Sequence, residues 1–300
     1  MLRSGEKQIL VSVIVPVLND AARLEKCLSA LRSQTVAPAE YEIIVVDNGS
    51  SEDIATVTRK FGNVKLLRET RKGSYAARNR GIEESRGQIM AFTDADCLPA
   101  RDWLEKGIRR FSEDPQNGVI GGKIEFFFAE QDSPTAAELY ESFTYLDQRH
   151  FVENLHFSAT ANLLAPRRVF TEAGLFSPEL QSGGDYEWGR RVFARGYPVI
   201  YADEVQVRHP ARSTVREVVK RQRRIRGGAW RLRQQGVEWV NPHELSLLWG
   251  LIPPIRRSSA LWRKTRSLNL IQKLKLIGIE NFSHYVQWAE TVRLSCGGEP

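Results

Sequence analysis

The chain has 300 residues, of which 42% are hydrophobic and 26% are charged. This length and composition suffice for one large or two modest domains with a hydrophobic core, and they exclude a collagen, a disordered tail and a mini-protein. The three cysteines lie far apart and form no CxxC pair, which argues against a disulfide framework and a thiolate zinc site. The first ten residues lack the apolar segment of a signal peptide, so we expect a reduced, cytoplasmic protein.

The net charge of +7 is distributed unevenly along the chain. Residues 1–205 hold 25 Lys and Arg against 30 Asp and Glu, whereas residues 206–300 hold 18 against 6. The two parts therefore carry net charges of −5 and +12. A basic excess of this size suits nucleic acid or an anionic membrane surface, and charge alone does not distinguish the two.

Strands and helices are predicted to alternate in the first part of the chain. Apolar, β-branched runs predict strands at 11–17, 42–47, 64–67, 88–93, 118–128 and 199–207. Helices are predicted after Asn19 or Asp20 and over 53–61 and 74–85, whereas residues 135–157 show no clear pattern. The alternation predicts an α/β fold with a mostly parallel sheet flanked by helices. In such sheets ligands bind beyond the carboxyl ends of the strands.

The pattern beyond residue 209 predicts basic helices. Thr214 and Glu217 have the spacing of a capping box, which marks the start of a helix. This helix would carry Lys220, Arg221, Arg223, Arg224 and Arg226. Residues 245–300 mix apolar and basic clusters, and none reaches the roughly 20 apolar residues that span a bilayer. We therefore divide the chain into a domain of residues 1–209 and a basic helical C-terminal region of residues 210–300.

Two aspartates, Asp94 and Asp96, follow the fourth predicted strand with one residue between them. Carboxylates at this spacing form a compact anionic site. Hard cations such as Mg²⁺ or Mn²⁺ bind a few carboxylates together with water and phosphate oxygens, so a cation here would attach a nucleotide diphosphate to the protein. A lone DxD is more often a solvated turn, and the interpretation therefore depends on the surrounding motifs.

Six segments, in a fixed order, supply that context. They are the strand 11–19, VVDNGSSED at 45–53, KGSYAARNRG at 72–81, FTDAD at 92–96, TANLLAPRRVF at 160–170 with GLF at 174–176, and GGDYEWGRR at 183–191. Together they resemble the family 2 glycosyltransferases over about residues 10–210. The resemblance implies a GT-A (Rossmann-like) fold and an inverting, non-processive, metal-dependent enzyme. Such an enzyme would move one sugar from a UDP- or dTDP-sugar to a hydroxyl acceptor.

The resemblance assigns donor binding to strand ends and to one basic helix. The residues are Pro16, Asn19, Asp47, Lys72, Arg78, Asp94 and Ala95. Asp47 can accept a hydrogen bond from the imide N–H of uracil or thymine, a proton that cytosine lacks, or it can form an Asx turn. Arg78 can pair with the donor phosphates, with Lys72 more peripheral, or it can lie on a solvated helix face.

The resemblance also supplies candidates for the general base and the metal ligands. Sugar transfer needs one carboxylate that takes the acceptor's proton. Asp185 matches the family's base, and Glu187 is an alternative because Gly184 stands where an acidic residue is frequent. Both carboxylates could instead cap the following helix. The implied metal ligands are Asp94, Asp96 and His209, although a lone histidine is more often structural, and Cys97 is expected to pack rather than bind metal.

Two other functions are weighed against this one. A nucleotidyltransferase on a similar sheet would need a Gly-rich phosphate loop after the first strand, and residues 17–20 do not form one. A nucleic-acid-binding module could use the basic region with Trp230 and Trp239, but it would leave the acidic residues 1–205 unexplained. We therefore expect no nucleic-acid partner.

The acceptor is expected to be lipid-linked or a cell-envelope glycan precursor. The segment 222–226 resembles the QxxRW motif of processive relatives, but Ile225 stands at its fourth position and no Trp follows Arg226. We therefore expect one sugar to be added per encounter. The basic region would hold the enzyme peripherally on the inner face of an anionic membrane.

Overall fold

The computed structural model describes residues 9–239 and 249–299. The chain forms two compact units. Unit 1 comprises Met1–Glu125, Leu146–Glu179 and Gly184–His209, and unit 2 comprises Phe126–Tyr145, Leu180–Gly183 and Pro210–Pro300. Unit 2 thus includes two segments from within the first 209 residues. The division into a domain of residues 1–209 and a basic helical C-terminal region of residues 210–300 stays a prediction.

The described residues contribute eight strands to one sheet. They are β1 (Val11–Val17), β2 (Tyr41–Asp47), β3 (Val64–Arg68), β4 (Ile89–Phe92), β5 (Leu98–Pro99), β6 (Val119–Phe127), β7 (Leu163–Pro166) and β8 (Val199–Pro210). The order across the sheet is β3-β2-β1-β4-β7-β6-β8-β5. The α/β sheet is as predicted, but it is mixed rather than mostly parallel, because β7 runs antiparallel to β4 and β6, and β5 antiparallel to β8.

Helices follow or precede most of these strands. They are α1 (Ala21–Arg32), α2 (Ile54–Arg59), α3 (Ser74–Glu83), α4 (Trp103–Glu113), α5 (Ala136–Thr144), α6 (Gln148–Leu155), α7 (Arg167–Ala173), α8 (Gly184–Ala194), α9 (Val215–Gln234), α10 (Ile255–Lys264) and α11 (Leu270–Ser295). The predicted strands and helices agree with these bounds to within a few residues. Residues 135–157, for which the sequence shows no clear pattern, form α5 and α6.

The core of unit 1 lies on both faces of β1. This strand is buried along its whole length between β2 and β4, as its continuous apolar sequence predicts. Leu24, Leu28 and Leu31 of α1 pack in the same cluster as Val13 and Val15. On the other face α3 lies very close to the sheet, because Gly81 has no side chain. A Cβ there would be 2.5 Å from Ile14 Cγ2. This close packing places the start of α3 at the carboxyl edge of the parallel strands.

A hydrogen-bonded network ties the amino ends of β1 and β2 together. Glu42 is 7% exposed, and its carboxylate accepts hydrogen bonds from the Ser12 hydroxyl at 2.7 Å and from the backbone N–H of Arg86 at 2.6 Å. The Ser12 hydroxyl oxygen in turn accepts from the N–H of Gly87 at 2.8 Å. These bonds, together with Arg86 Nε at 3.1 Å, hold the pKa of Glu42 below its ordinary value although burial alone would raise it.

Unit 2 is helical. Its core contains Ala137, Leu139, Tyr140, Val218, Leu261, Leu276 and Ile279, from α5, α9, α10 and α11. The predicted capping box is present at the start of α9, where Thr214 and Glu217 make both reciprocal bonds. Among the described residues, no helix combines the length and apolar character that crossing a bilayer requires.

Two arginines of α9 are buried rather than solvated. Arg221 pairs with the buried carboxylate of Glu141 and lies over the Tyr145 ring, with its guanidinium carbon 4.1 Å from the ring centre. Arg226 is 5% exposed and donates a hydrogen bond from Nη2 to Gln287 Oε1 at 2.5 Å. Part of the basic charge of this region is therefore used inside unit 2.

Candidate active site

The carboxyl ends of β1, β2 and β4 meet at one edge of the sheet. Asp47 is the last residue of β2 and pairs in register with Val17 of β1, and Asp94 follows β4 by two residues. A turn closed by the N–H of Cys97 and the carbonyl of Asp94, at 3.1 Å, orients the DAD segment. The parallel strands thus bring acidic residues from distant parts of the chain to the same edge, as the sequence predicts.

Four side chains at this edge form a group of candidate metal ligands. One ligand atom from each of Asp94, Asp96, Cys97 and His209 lies within 4.8 Å of the others. His209 is supplied by β8, and its Nε2 lies 3.9 Å from Asp96 Oδ1. The two carboxylates are donors that suit Mn²⁺ or Mg²⁺, and the imidazole is a donor that suits transition-metal ions. The predicted ligand residues therefore fit a hard divalent cation.

Cys97 is the member of this group that fits such a cation least. Burial raises the pKa of its thiol far above the ordinary value, and the charges of Asp96 and Asp94 raise it further. The thiol therefore stays protonated, and it donates a weak hydrogen bond to Asp96 Oδ1 at 3.7 Å. This geometry agrees with the expectation that Cys97 packs.

Arg23 reaches the same edge from α1, and sequence reasoning did not identify it. Its Nη1 lies 3.6 Å from Asp96 Oδ2 and 3.6 Å from Asp20 Oδ2. The predicted helix cap differs as well: Asp20 occupies the N-cap position but makes no side-chain cap bond, and Glu52 instead accepts from the N–H of Ala21 at 2.7 Å. The i, i+3 spacing of Asp20 and Arg23 was a sequence signal that could have predicted the contact between these two side chains.

Arg78 is the basic residue most firmly held at this edge. It lies on α3 with 3% exposure, and its Nη2 donates to Asp94 Oδ1. Among the described residues, two buried polar atoms here have no hydrogen-bond partner: Arg78 Nε and Thr93 Oγ1. Lys72, by contrast, is exposed. Unpaired buried donors beside carboxylates are typical of a site that binds a polar ligand.

Asp185 lies in the first turn of α8 and is held by Tyr75. The Tyr75 hydroxyl donates to Asp185 Oδ1 at 3.1 Å, and the N–H of Tyr186 donates to the same oxygen at 3.0 Å. Burial raises the pKa of Asp185 above its ordinary value, while the positive charge of Arg78 and the bond from Tyr75 act in the opposite direction. A carboxylate in this state is a stronger base than a solvated one.

Gly184 and Tyr75 depend on each other sterically. A Cβ at residue 184 would lie 2.7 Å from Cε2 of the Tyr75 ring. The ring therefore fills the space that a larger side chain at 184 would need. The family often has an acidic residue at position 184, and this chain has a glycine beside an aromatic ring. The residue that carries the ring, Tyr75, contacts Asp185. The sequence did not predict this contact.

Glu187, the alternative base, is held by Arg191 one helical turn later. Arg191 Nε donates to Oε1 at 2.5 Å and Nη2 to Oε2 at 3.0 Å, while the Ser177 hydroxyl donates to Oε2 at 3.1 Å. Arg191 also donates to the carbonyls of Ala173 and Leu175. Glu187 is thereby engaged in connecting α8 to the segment after α7.

The remaining predicted donor residues lie around the ends of β1 and β2. Asp47 Oδ1 accepts a hydrogen bond from the N–H of Ser50 at 2.9 Å. Asp47 therefore makes the turn bond that was the alternative to base recognition. Asn19 Oδ1 accepts from the N–H of Ser51 at 2.7 Å, so its side chain fastens the two loops together. Pro16 lies in β1 beyond Ile14, the last residue that pairs with β4, where a missing N–H is tolerated. Ala95 packs in the core.

Comparison with known proteins bears on the identity of this site. A family model described as Glycosyl transferase family 2 matches residues 12–174. Glycosyltransferase AglE of Haloferax volcanii is 38% identical over 251 residues, which cover 81% of this chain and 81% of that protein. A dolichyl N-acetyl-alpha-D-glucosaminyl phosphate 3-beta-D-2,3-diacetamido-2,3-dideoxy-beta-D-glucuronosyltransferase of Methanococcus voltae is 21% identical over 227 residues, 70% of each chain.

Two solved structures share the fold. The mannosyltransferase PcManGT of Pyrobaculum calidifontis, in complex with GDP-Man and Mn²⁺, aligns with a TM-score of 0.64 and 18% identity, covering 96% of this chain and 87% of that one. A fragment of S. aureus TarS in complex with UDP aligns with a TM-score of 0.57 and 15% identity, covering 96% and 92%.

The mixed sheet and its helices are those of a GT-A glycosyltransferase. The family match extends over more than half of the chain and includes β1 to β4 with the DAD segment. The chain belongs to glycosyl transferase family 2 and is a glycosyltransferase, as the sequence motifs predicted. The nucleotidyltransferase and nucleic-acid-binding alternatives are therefore set aside as its main activity.

Proposed function

We propose that the protein transfers one sugar, with inversion, from a uridine or thymidine diphosphate sugar to a hydroxyl acceptor, and that Asp185 is the general base. The observation that supports this most strongly is the connection between two acidic sites. Arg78 donates to Asp94 in the metal-ligand group, and its guanidinium carbon lies 5.7 Å from the centre of the Tyr75 ring, whose hydroxyl donates to Asp185. A base and a diphosphate-binding group therefore lie around one guanidinium.

The donor diphosphate would bind beside Asp94 and Asp96. A divalent cation held by Asp94, Asp96 and His209 would neutralise charge on the diphosphate. Arg78 adds a fixed positive charge there, and its free Nε can donate to a phosphate oxygen. PcManGT was solved with GDP-Man and Mn²⁺, which supports a nucleotide sugar and a cation of this kind. Thermal unfolding in the presence of Mn²⁺ or Mg²⁺ compares the two cations.

Asp185 would take the acceptor's proton while the sugar is transferred. The Tyr75 hydroxyl and the N–H of Tyr186 fix the position of Oδ1 and so orient the carboxylate that would receive the proton. Glu187 is paired with Arg191 and Ser177, which supports Asp185 as a single base rather than one of the two reacting carboxylates that a double displacement needs. A single displacement inverts the anomeric carbon.

The nucleoside would be recognised at the ends of β1 and β2. Asp47 uses Oδ1 in its turn with Ser50, so Oδ2 is the atom that would accept from the imide N–H of uracil or thymine. The TarS complex with UDP supports a uridine nucleotide. Pro16 and Asn19 would shape this pocket through the backbone, and exposed Lys72 would contribute at its periphery.

The acceptor is proposed to be lipid-linked. The Methanococcus voltae relative is named for a dolichyl phosphate-linked sugar acceptor, and a lipid-linked acceptor also fits the basic excess of residues 206–300. The enzyme would then work at the inner face of an anionic membrane, on a precursor of a cell-envelope glycan. The lipid of the acceptor would place the reaction at the membrane, and the enzyme would add a single sugar.

Thermal unfolding with a nucleotide panel tests the donor and the cation together. UDP and dTDP with Mn²⁺ or Mg²⁺ are expected to stabilise the protein, by about 2.7 kcal/mol at a hundredfold excess over the dissociation constant, whereas CDP is not. Asp94→Asn should abolish the cation-dependent part, and the exposed Asp114→Asn serves as a matched control. Equal stabilisation by all nucleotides, or stabilisation unchanged by Asp94→Asn, would contradict the proposal.

A further inference from the structure

Helix α11 carries two apolar faces, and the core of unit 2 uses one of them. On the inner face Leu276, Ile279 and Leu294 are buried. The other face carries Ile271, Leu274, Phe282 and Tyr285, which are 67%, 57%, 51% and 39% exposed. With Gly278 these positions recur at intervals of three and four residues, so they form one continuous stripe along the helix.

Neighbouring segments extend this stripe. Leu251, Ile252, Ile255 and Trp262, from the 3-10 turn at Trp249–Leu251 through α10, are all exposed. A contact of 3.1 Å between His284 Nε2 and the carbonyl of Gly250 attaches the turn to α11. At the other end, Lys273 Nζ lies 5.4 Å from the centre of the Trp262 ring. We call these eight exposed apolar side chains, four from α11 and four from the preceding segments, the outer surface.

The segment that carries the outer surface, residues 249–289, is strongly basic. Residues 249–289 contain seven basic residues, Arg256, Arg257, Arg263, Lys264, Arg266, Lys273 and Lys275. The single acidic residue in this range, Glu280, is 8% exposed and accepts a hydrogen bond from the Tyr140 hydroxyl at 2.8 Å. The segment with the exposed apolar side chains therefore contributes seven basic residues and no exposed carboxylate, and Lys273 lies directly beside Trp262.

The basic residues of α9 differ from those around the outer surface. Arg221 and Arg226 are buried in contacts within unit 2, and Arg216, Lys220 and Arg223 are exposed where Val215 is the one large exposed apolar side chain of the helix. Charge is thus common to α9 and to α10–α11, but the combination of charge with many exposed apolar side chains belongs to α10–α11.

We propose that the outer surface docks on an anionic membrane leaflet, with its apolar side chains inserted among the lipids and its basic side chains at the lipid phosphates. Trp and Tyr at the boundary between apolar and charged residues suit such an interface, as do Lys side chains that extend toward phosphates. The proposal locates the membrane contact that the proposed lipid-linked acceptor requires, and it is independent of the donor and the cation.

Charge complementarity favours a lipid leaflet over other occupants. A second copy of the chain would place seven basic residues against the same seven, which is unfavourable. A nucleic acid would match the charge, but it would leave Ile255 and Ile271, which are 70% and 67% exposed, against a phosphate backbone. An anionic leaflet satisfies both the apolar and the basic side chains.

Vesicle sedimentation of the full chain tests the proposal. The protein is expected to pellet with vesicles of phosphatidylcholine and phosphatidylglycerol, to bind much less to phosphatidylcholine alone, and to be released by salt. The apolar variant Ile271→Ser/Leu274→Ser/Phe282→Ser should lower the partition coefficient by about tenfold or more. The variant Arg266→Gln/Lys273→Gln/Lys275→Gln, which we call the α11 charge variant because it removes both lysines of α11 and the arginine just before the helix, should do the same on anionic vesicles.

The matched control removes equal charge from α9. Arg216→Gln/Lys220→Gln/Arg223→Gln should bind vesicles like the unmodified protein, and equal loss in this control and the α11 charge variant would overturn the proposal. Vesicle binding by the apolar variant equal to that of the unmodified protein would also overturn the proposal. A dimer of the unmodified protein that the apolar variant converts to monomer, without a change in vesicle binding, would assign the surface to a second copy. Salt-sensitive RNA binding that the α11 charge variant removes, without vesicle binding, would assign it to nucleic acid.

Hydrolysis of the nucleotide sugar in vesicle-free buffer should be equal in all these variants. This readout separates the two proposals. Vesicle binding can contradict the membrane proposal while nucleotide-sugar hydrolysis supports the donor proposal, and hydrolysis can contradict the donor proposal while vesicle binding supports the membrane proposal. It also shows that each variant is folded, and thermal unfolding gives a second measure.

Discussion

The two edges of the parallel strands in unit 1 differ in how their polar groups are satisfied. At the amino edge, the buried Glu42 carboxylate accepts bonds from the Ser12 hydroxyl and from Arg86. At the carboxyl edge, Arg78 Nε and Thr93 Oγ1 are buried without partners among the described residues. One edge is hydrogen-bonded within the protein, and the other keeps polar atoms available for a ligand.

The same contrast appears in two carboxyl groups. Burial acts on both, but at Glu42 the hydrogen bonds prevail and the pKa is lowered. At Asp185 burial prevails over the charge of Arg78 and the Tyr75 bond, and the pKa is raised. The opposite directions of the two pKa shifts agree with a structural role for Glu42 and with the proposed role of Asp185 as the general base.

The largest expected effect is on catalysis at the carboxyl edge. Asp185→Asn should lower kcat by about 10³-fold, because a general base contributes about 10² to 10⁴. The donor KM should stay close to that of the unmodified enzyme, since Asp185 is proposed to contact the acceptor. Steady-state transfer assays with the preferred donor measure both constants.

Glu187→Gln is the companion variant to Asp185→Asn. It breaks the contact with Arg191 and should lower stability while leaving kcat within about tenfold of the unmodified enzyme. A reversal of the two results would make Glu187 the base and remove the contrast between the two carboxylates.

The second effect is on stability at the amino edge. Glu42→Gln should lower the free energy of unfolding by about 2 kcal/mol near neutral pH, because it disrupts buried hydrogen bonds to a charged group. Since the folded pKa is lowered, this contribution is present above the ordinary value of 4.5 and is lost as the pH falls through the folded value. Denaturant unfolding at several pH values measures the difference.

The exposed Glu113→Gln provides the control for this series. It should change stability little at any pH. If the difference between Glu42→Gln and the unmodified protein grew on acidification below pH 4.5, the lowered pKa and the hydrogen-bond account would both be wrong.

The smallest effect concerns the position of Asp185. Tyr75→Phe should lower kcat by about tenfold with little change in donor KM, because it removes the bond that fixes Oδ1 and leaves the ring beside Gly184. That bond lowers the pKa of Asp185, so its loss should move the acid limb of the kcat–pH profile to higher pH.

Tyr41→Phe is a matched control at the opposite edge. The Tyr41 hydroxyl donates to the carbonyl of Leu31 at 2.9 Å, so its removal should affect stability and not the pH profile. An unchanged profile in Tyr75→Phe would indicate that Tyr75 only packs.

Much of this architecture is readable from the sequence. β1, β2 and β4 are buried on both faces, so their apolar runs predict them directly, and the acids that follow reach one edge because parallel strands end together. The proximity of the candidate metal ligands Asp94, Asp96 and His209 was expected from the strand ends together with the family resemblance. Short strands such as β5 and β7 escape prediction because a few residues show no periodicity, and pairing direction leaves no local signal.

Contacts between distant side chains were the part that the sequence did not reveal. Tyr75 and Asp185 are 110 residues apart, and their bond depends on how α3 and α8 approach the edge. Arg221 reads as a solvated basic residue of a charged helix, yet it is buried against Glu141. In both cases the tertiary fold decides the role of a residue whose local pattern suggests another.

The two faces of α11 can change independently. Substitutions along its outer stripe leave Leu276, Ile279 and Leu294 in place, so the fold of unit 2 does not restrict which residues the stripe carries. If the stripe docks on a membrane as proposed, a few replacements there would redirect or release the enzyme without altering the candidate active site. Under the proposed docking, membrane location and reaction would depend on separate sets of side chains, and either set could change without the other.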